Sequence, residues 1–569
     1  MNTSVKARGV NGVEVAGHNR EQAAGISVST PSFITLPVRN GTICYAAEKI
    51  MSLRWSLKSL WNRYYKHAAP TELTAASGPF AQLQWSGMFI EKRGEGFKLH
   101  RSGTAPLRTG NGINWFWKIG IVLTIGWMLS AFALRGAENS AEDWPQFLGP
   151  QANGISSETG LLNQWSINGP PLVWEKKIGT GYGAPSVRGH QLVFHHRLHE
   201  EEIVECVEAS TGTSLWRFSY PSHFVDPYGY NNGPRGTPLL TSNRCYTFGA
   251  EGILTCLELP TGKLVWQRDT ATDFNVPNAF FGVGSTPILE AGLLLVMVGG
   301  QPNSGLVAFD AQTGKTVWES VGKANWEGVP MTGWPGEQIV RWQAWEKQAS
   351  YSTPVAVTIH GKRQVLCLTR QGLVSVDPKT GAVNFSFWFR SRLNDSVNAM
   401  SPVVVNDLIF ISAAYYKIGS VLLRVKPDGK SVEEIWRSTA LEIHWTTPLY
   451  LDGYLYAFSG RNEPDARMRC VEFKTGKLMW ERDESWLPHS TPTPGVYGRG
   501  SSIFADGKLI ALGEGGILGL FKPNPKQPEE ICRFQVPQLH HPCWAAPVLS
   551  RKKLYLRSED HLVCVNLAK

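Results

Sequence analysis

The chain has 569 residues, with 57 Gly, 35 Pro and 22 Trp and a formal net charge of +9. That composition suits many short strands joined by tight turns and argues against a long-helix fold. The charge is uneven: residues 1–136 hold 16 Lys/Arg against 6 Asp/Glu, so the rest of the chain is close to neutral. A neutral body has no basic stripe to follow a phosphate backbone, and nucleic acid is excluded as a partner.

Residues 1–112 show no sustained periodicity and read as a disordered extension or a mis-annotated start, with Met51 and Met88 as internal alternatives. Residues 113–136 contain the apolar run Ile119 to Leu134 behind Lys118 and many other basic residues. The run is short for a spanning helix and right for a signal peptide or signal anchor, with Ala131-Phe132-Ala133 as a weak cleavage pattern. Either outcome predicts an exported body, periplasmic or membrane-anchored outside the cytoplasm.

From residue 143 onward the chain repeats itself. An acidic residue, a turn ending in Thr-Gly and an aromatic four residues after the Gly recur at Trp216, Trp266, Trp318, Phe385 and Trp480. Trp174, Trp436 and Cys532 hold the same place in degenerate copies. The intervals are mostly the roughly 40–50 residues of a four-stranded propeller blade. The longest, from Trp318 to Phe385, carries an insertion over about 319–348, rich in Trp and Gly and placed to cap the channel.

Each unit opens on Pro just before an apolar strand, where its missing N–H costs no ladder bond: Pro185, Pro238, Pro287, Pro354, Pro402, Pro448 and Pro547. The last unit stops after its third strand, while the strand around Trp174 has no blade before it. Pairing the two predicts an all-β, eight-bladed propeller over 143–569, closed by its own termini. The repeated ring is read as a wedge between blades.

Cys206, Cys256, Cys470 and Cys564 occupy one position in four repeats and are expected to be buried apolar residues. A two-residue turn at Ala250-Glu251 would set Cys245 opposite Cys256 as a cross-strand disulfide. His195, His196 and His199 read as a polar strand end and hairpin rather than a metal site, and His540-His541 as a solvated loop. Residues just before the inner strands line the channel mouth by geometry: Arg235, Tyr351, Trp445, Arg499 and Trp544. Two cations and three rings there suit an anionic or aromatic ligand, against the plainer reading of packing around a water-filled channel. The stretch Val225 to Arg235 is expected to form an ordered loop on that face.

The repeats resemble the tryptophan-docking repeats of quinoprotein (PQQ-dependent) alcohol dehydrogenases and of the assembly lipoprotein of the outer-membrane β-barrel machinery. The lead-in Asp143-Trp144-Pro145-Gln146-Phe147-Leu148-Gly149-Pro150 resembles exported PQQ-like propellers of planctomycetes. For an enzyme the resemblance implies PQQ and Ca²⁺ in the channel; no motif identifies either cofactor, a metal site or a catalytic residue. Neither the adjacent Cys-Cys pair common in those enzymes nor a CxxCH haem motif occurs. The expected function is therefore a scaffold binding a protein or cell-envelope polymer, held to the membrane by its N-terminal segment and monomeric. A PQQ/Ca²⁺ oxidoreductase of alcohols or sugars is the alternative, and the sensor part of a signalling system a third reading.

Overall fold

Pro185 is followed at once by the strand Ser186–Arg188, and the same punctuation opens six more sheets. In the computed structural model, which describes residues 142–569 apart from 278–279, 327–350, 392–395 and 488–494, the strands form eight four-stranded antiparallel sheets. The architecture is an eight-bladed β-propeller. The N-terminal extension, the apolar run and most of the 319–348 insertion lie outside the described residues. Among the described residues no helix is long and apolar enough to cross a membrane.

Blade 1 shows the pattern: Ser186–Arg188, Gln191–Leu198, Glu201–Glu208 and Ser214–Pro221, ordered from the channel outward. The two middle strands are buried on both faces, with His195, His196, Glu202 and Glu205 among their buried residues, whereas the outer strand alternates. Blades 2 to 7 follow in sequence. Blade 8 takes Val548–Ser550, Lys553–Arg557 and His561–Asn566 from the C-terminus and its outermost strand, Leu172–Lys177, from the N-terminal side.

The repeated Trp is a wedge between blades, as expected, and its partner is specific. Trp216 donates its indole N–H to the Leu259 carbonyl of the next blade at 2.8 Å. Trp174, Trp266, Trp318, Trp436 and Trp480 make the same bond to Ala209, Ala311, Pro378, Phe473 and Asn524. A turn glycine lies beneath five of these six rings, Trp480 being the exception: a Cβ on Gly262 would sit 2.5 Å from the Trp216 indole, and the residue has φ +71°. Phe385 and Cys532 have no N–H to give.

A second regularity escaped the sequence. In every blade the outer strand carries a β-bulge at the residue before the docking position, for example Leu215 between the Cys206–Trp216 and Val207–Ser214 pairs. A bulge increases the local twist and turns an edge away from further pairing. It also aims the following ring at the next blade.

The cysteine positions are buried, and Cys206, Cys256, Cys470 and Cys564 stand directly opposite Trp216, Trp266, Trp480 and Trp174. The proposed Cys245–Cys256 bridge is wrong. The hairpin is longer than two residues, since Phe248 pairs with Leu254 and Gly249 closes on Ile253. Cys245 therefore faces Leu257 and Cys256 faces Tyr246, and both thiols are free. A one-residue change of register sends a side chain to the other face of the sheet.

His195 and His196 also correct the sequence reading: both are buried inside a strand of blade 1 rather than at a polar end. His195 Nε2 lies 3.4 Å from Glu202, which also accepts the Tyr220 hydroxyl at 2.6 Å and the Ala250 N–H of blade 2. His196 accepts the Gly179 N–H through Nδ1 and faces Glu205 at 3.5 Å on the opposite side.

Candidate functional site

The lead-in crosses the channel. Trp144 exchanges backbone hydrogen bonds with Val187 in the inner strand of blade 1, and the Pro145 carbonyl accepts from Leu240 in blade 2. Gly154 and Ser156 pair with Phe504 in blade 7, and a Cβ on Gly154 would strike Leu449 of blade 6. A chain bonded to the inner strands on both sides closes the bore. The water-filled channel of the sequence reading is thus a pocket with a floor, and Phe147 lines it.

The walls come from one repeated position, three residues before the strand-opening proline. Across the ring that position supplies Tyr182, Arg235, Gly284, Tyr351, Ala399, Trp445 and Trp544, and Arg499 fills the same place in blade 7, which lacks the proline. All eight line one cavity of about 190 Å³. The five residues singled out from sequence are brought together there. Tyr182 was missed although the same offset names it; Tyr230, Phe281, Tyr415 and His444 also line the cavity and come from loops that no repeat position predicts. Gly284 makes room: a Cβ there would meet the Tyr351 ring at 2.6 Å.

The rings form a connected set. Trp544 lies with its centroid 5.2 Å from Trp445, 4.8 Å from Tyr182 and 5.5 Å from Tyr230. Tyr230 touches Phe281 edge-on at 5.8 Å, and Phe281 meets Tyr351 at 5.6 Å. The Tyr351 hydroxyl accepts the Phe281 N–H at 2.8 Å. Such offset and edge-to-face pairs hold each other in place.

The two arginines are not free cations. Arg499 is held by both oxygens of buried Glu514, by Glu463 at 3.0 Å and by the Arg461 carbonyl. Its guanidinium lies 4.8 Å from the Trp445 ring centre and 5.8 Å from that of Trp544. Glu514 also takes the Trp544 indole N–H at 2.9 Å. Burial opposes ionisation of Glu514, but the Arg499 charge and hydrogen bonds from His541, Arg499 and Trp544 outweigh it and hold the carboxyl down to about 2. Arg235 pairs with Asp226 at 2.7 Å inside the ordered loop Val225 to Arg235, where Asn232 also accepts the Asp226 N–H. Burial pushes the Arg235 guanidinium down, against the Asp226 charge. His444 is kept neutral, its pKa lowered to about 3 by burial and then by Arg499 and Arg461. The cavity is therefore aromatic and close to neutral.

A calcium-bound quinone asks for converging carboxylates and free cations. Among the described residues no group of three or more His, Cys, Asp or Glu side chains is placed to hold a metal ion. Both cavity arginines are already matched by carboxylates. The residues present do not fit that pair of cofactors.

With this geometry in hand the relatives can be placed. A family model described as outer membrane protein assembly factor BamB matches residues 200–427. The chain is a PQQ-repeat β-propeller. Its curated relatives include the dehydrogenase subunit of the quinone alcohol dehydrogenase of Komagataeibacter europaeus, 24% identical over 200 residues, and that of Gluconacetobacter polyoxogenes, 26% identical over 200 residues. Each alignment covers 33% of this chain and 26% of the relative, so the chain spans about a quarter of the length of the curated relatives it matches. Among solved structures, the quinohemoprotein alcohol dehydrogenase of Comamonas testosteroni aligns with a TM-score of 0.51 at 14% identity, over 76% of this chain and 82% of that one. BamB from Moraxella catarrhalis aligns at 0.46 and 14%, over 69% and 97%. At such identity the likeness to the Comamonas structure shows the fold alone.

Proposed function

We propose that this PQQ-repeat propeller is exported and works as a binding scaffold, taking a protein or cell-envelope polymer at the cavity mouth. The observation that carries the reading is the floored, aromatic cavity whose two arginines are neutralised within the protein. Such a site offers shape and ring faces, the features of a binding pocket. The family description as an outer-membrane assembly factor supports a place in the envelope and a protein partner.

The entry of the chain fits this arrangement. Glu142 and Asp143 bond Ser550, Arg551 and Gly189, all at turns between first and second strands. Those turns lie at the end of the propeller away from the loops that build the cavity.

The test is a titration of the immobilised full chain with peptidoglycan fragments and with detergent-solubilised outer-membrane β-barrel proteins. Saturable binding of one of them, weakened by Trp544→Ala, supports the scaffold. No binding, or binding that Trp544→Ala leaves unchanged, overturns it.

A second reading, a PQQ- and calcium-dependent oxidoreductase of alcohols or sugars, has one observation in its favour: both curated relatives are named as quinone alcohol dehydrogenase subunits. The poor match of the cavity to that cofactor pair weighs against it.

A further inference from the structure

Resting on the scaffold reading, we infer that the cavity takes one ring of a neutral polysaccharide, and that a track of surface rings beside it carries the neighbouring sugars. Three features lead there: size, charge and the polar atoms left over.

At about 190 Å³ the cavity falls below the roughly 300–1,000 Å³ of pockets for drug-sized molecules. It has room for a single ring. The pairing of Arg235 with Asp226 and of Arg499 with Glu514 removes the attraction for an anion, so a negatively charged ring gains nothing there. What the walls offer is aromatic faces, which stack on the C–H face of a pyranose.

The polar remainder decides between a sugar and an aromatic side chain of a peptide. Among the described residues the indole N–H of Trp445 is buried without a partner. The Tyr351 hydroxyl accepts from Phe281 and still has its own proton to donate. A buried donor left unmatched is costly, and a ligand bearing several hydroxyls meets both groups at once. A Phe side chain meets neither, and a Tyr side chain has a single hydroxyl to share between them.

The rings then run outward. From Trp544 the contacts pass to Tyr230, to Phe281 and to Tyr228, whose centroid is 5.2 Å from that of Phe281. Tyr228 and Tyr230 are 46% and 47% exposed, a continuous path from cavity to surface. A lone small ligand has no use for such a track; a chain of sugar rings does.

The test titrates the full chain with cellohexaose, glucose, oligogalacturonate and an Ala-Tyr-Ala peptide, followed by calorimetry and tryptophan fluorescence, with far-UV circular dichroism on each variant. Cellohexaose is expected to bind saturably, at least tenfold more tightly than glucose and with little change between low and high salt. Trp445→Phe, which keeps a ring and removes the N–H, is expected to weaken it about fivefold. Tyr230→Ala should weaken cellohexaose and leave glucose nearly unchanged. Tighter binding of oligogalacturonate that falls with salt would overturn the neutral-ligand claim. Binding of the peptide but of no sugar would overturn the sugar assignment and leave the scaffold standing. If an envelope partner binds the chain and neither variant alters that binding, the cavity is not the site and both readings fail.

Discussion

The indole N–H of Trp174 donates to the carbonyl of Ala209 at 3.0 Å, and this bond joins the last blade to the first. The Tyr555 hydroxyl donates to the same carbonyl at 3.1 Å. Trp174 belongs to the strand that the N-terminal side lends to blade 8, so the seam of the ring rests on a docking contact of the same kind as the six internal ones that have an indole or a ring.

Trp174→Ala is expected to cost about 3 kcal/mol, the range for truncating a buried aromatic. Trp174→Phe should cost about 1 kcal/mol, the value of the lost hydrogen bond. Denaturant midpoints of the two variants against the parent check both. Equal losses would show that the N–H adds nothing at the seam.

Gly262→Ala puts a methyl into the Trp216 ring at a left-handed backbone position, whereas Gly292, with φ +81°, has nothing within 4 Å of an added Cβ. The backbone cost is shared, on the order of 1 kcal/mol. Gly262→Ala should therefore destabilise by a further 1–3 kcal/mol, the usual range for overpacking. The difference between the two midpoints isolates the docking contact.

Acid should loosen the propeller through its buried carboxylates. Burial alone would raise Glu205, yet hydrogen bonds from His196 and Arg217 and the charges of Lys176 and Arg217 bring it to about 2, as Arg499 and its neighbours bring Glu514. A carboxyl depressed in the folded state contributes stability that is complete above its unfolded value near 4.5 and is lost as the pH falls toward 2. The stability profile should drop across that window. Glu514→Gln should be less stable at pH 7 and show a shallower drop, measured as the denaturation midpoint at steps of pH.

Thiol chemistry gives a direct check on the core. Burial pushes Cys206, Cys256, Cys470 and Cys564 up to about 12, and Cys245 is fully buried. These five should resist a thiol reagent in the native state and react fully on unfolding. A reductant should leave the midpoint unchanged, because Cys245 and Cys256 are free. Protection by a disulfide at that pair would contradict the observed register.

Much of this was legible because a propeller repeats its instructions. The Thr-Gly turn, the ring four residues later and the proline before seven of the eight inner strands point to blade count, closure and the channel-facing position; that position named Arg235, Tyr351, Trp445 and Trp544, and Arg499 fills it in the blade without the proline. Their electrostatics were not legible. Asp226 sits nine residues before Arg235 in a loop, and Glu514 reaches Arg499 from the adjacent strand end; only the folded loop shows that each carboxylate cancels its arginine. The plug is similar: Trp144 and Phe147 carry a recognisable motif, but no pattern in it states that the segment crosses the bore. The Cys245–Cys256 error came from reading a hairpin loop too short, where one residue decides which face a side chain takes.

The channel mouth is proposed as a binding pocket in its own right and not as a quinone site. The measurement that tests it most directly is calorimetric titration of the full chain with PQQ in the presence of Ca²⁺, followed by a dye-linked alcohol oxidation assay. No saturable heat and no turnover are expected. Stoichiometric binding with turnover, lost in Trp445→Ala, would contradict the proposal and make this propeller a quinoprotein.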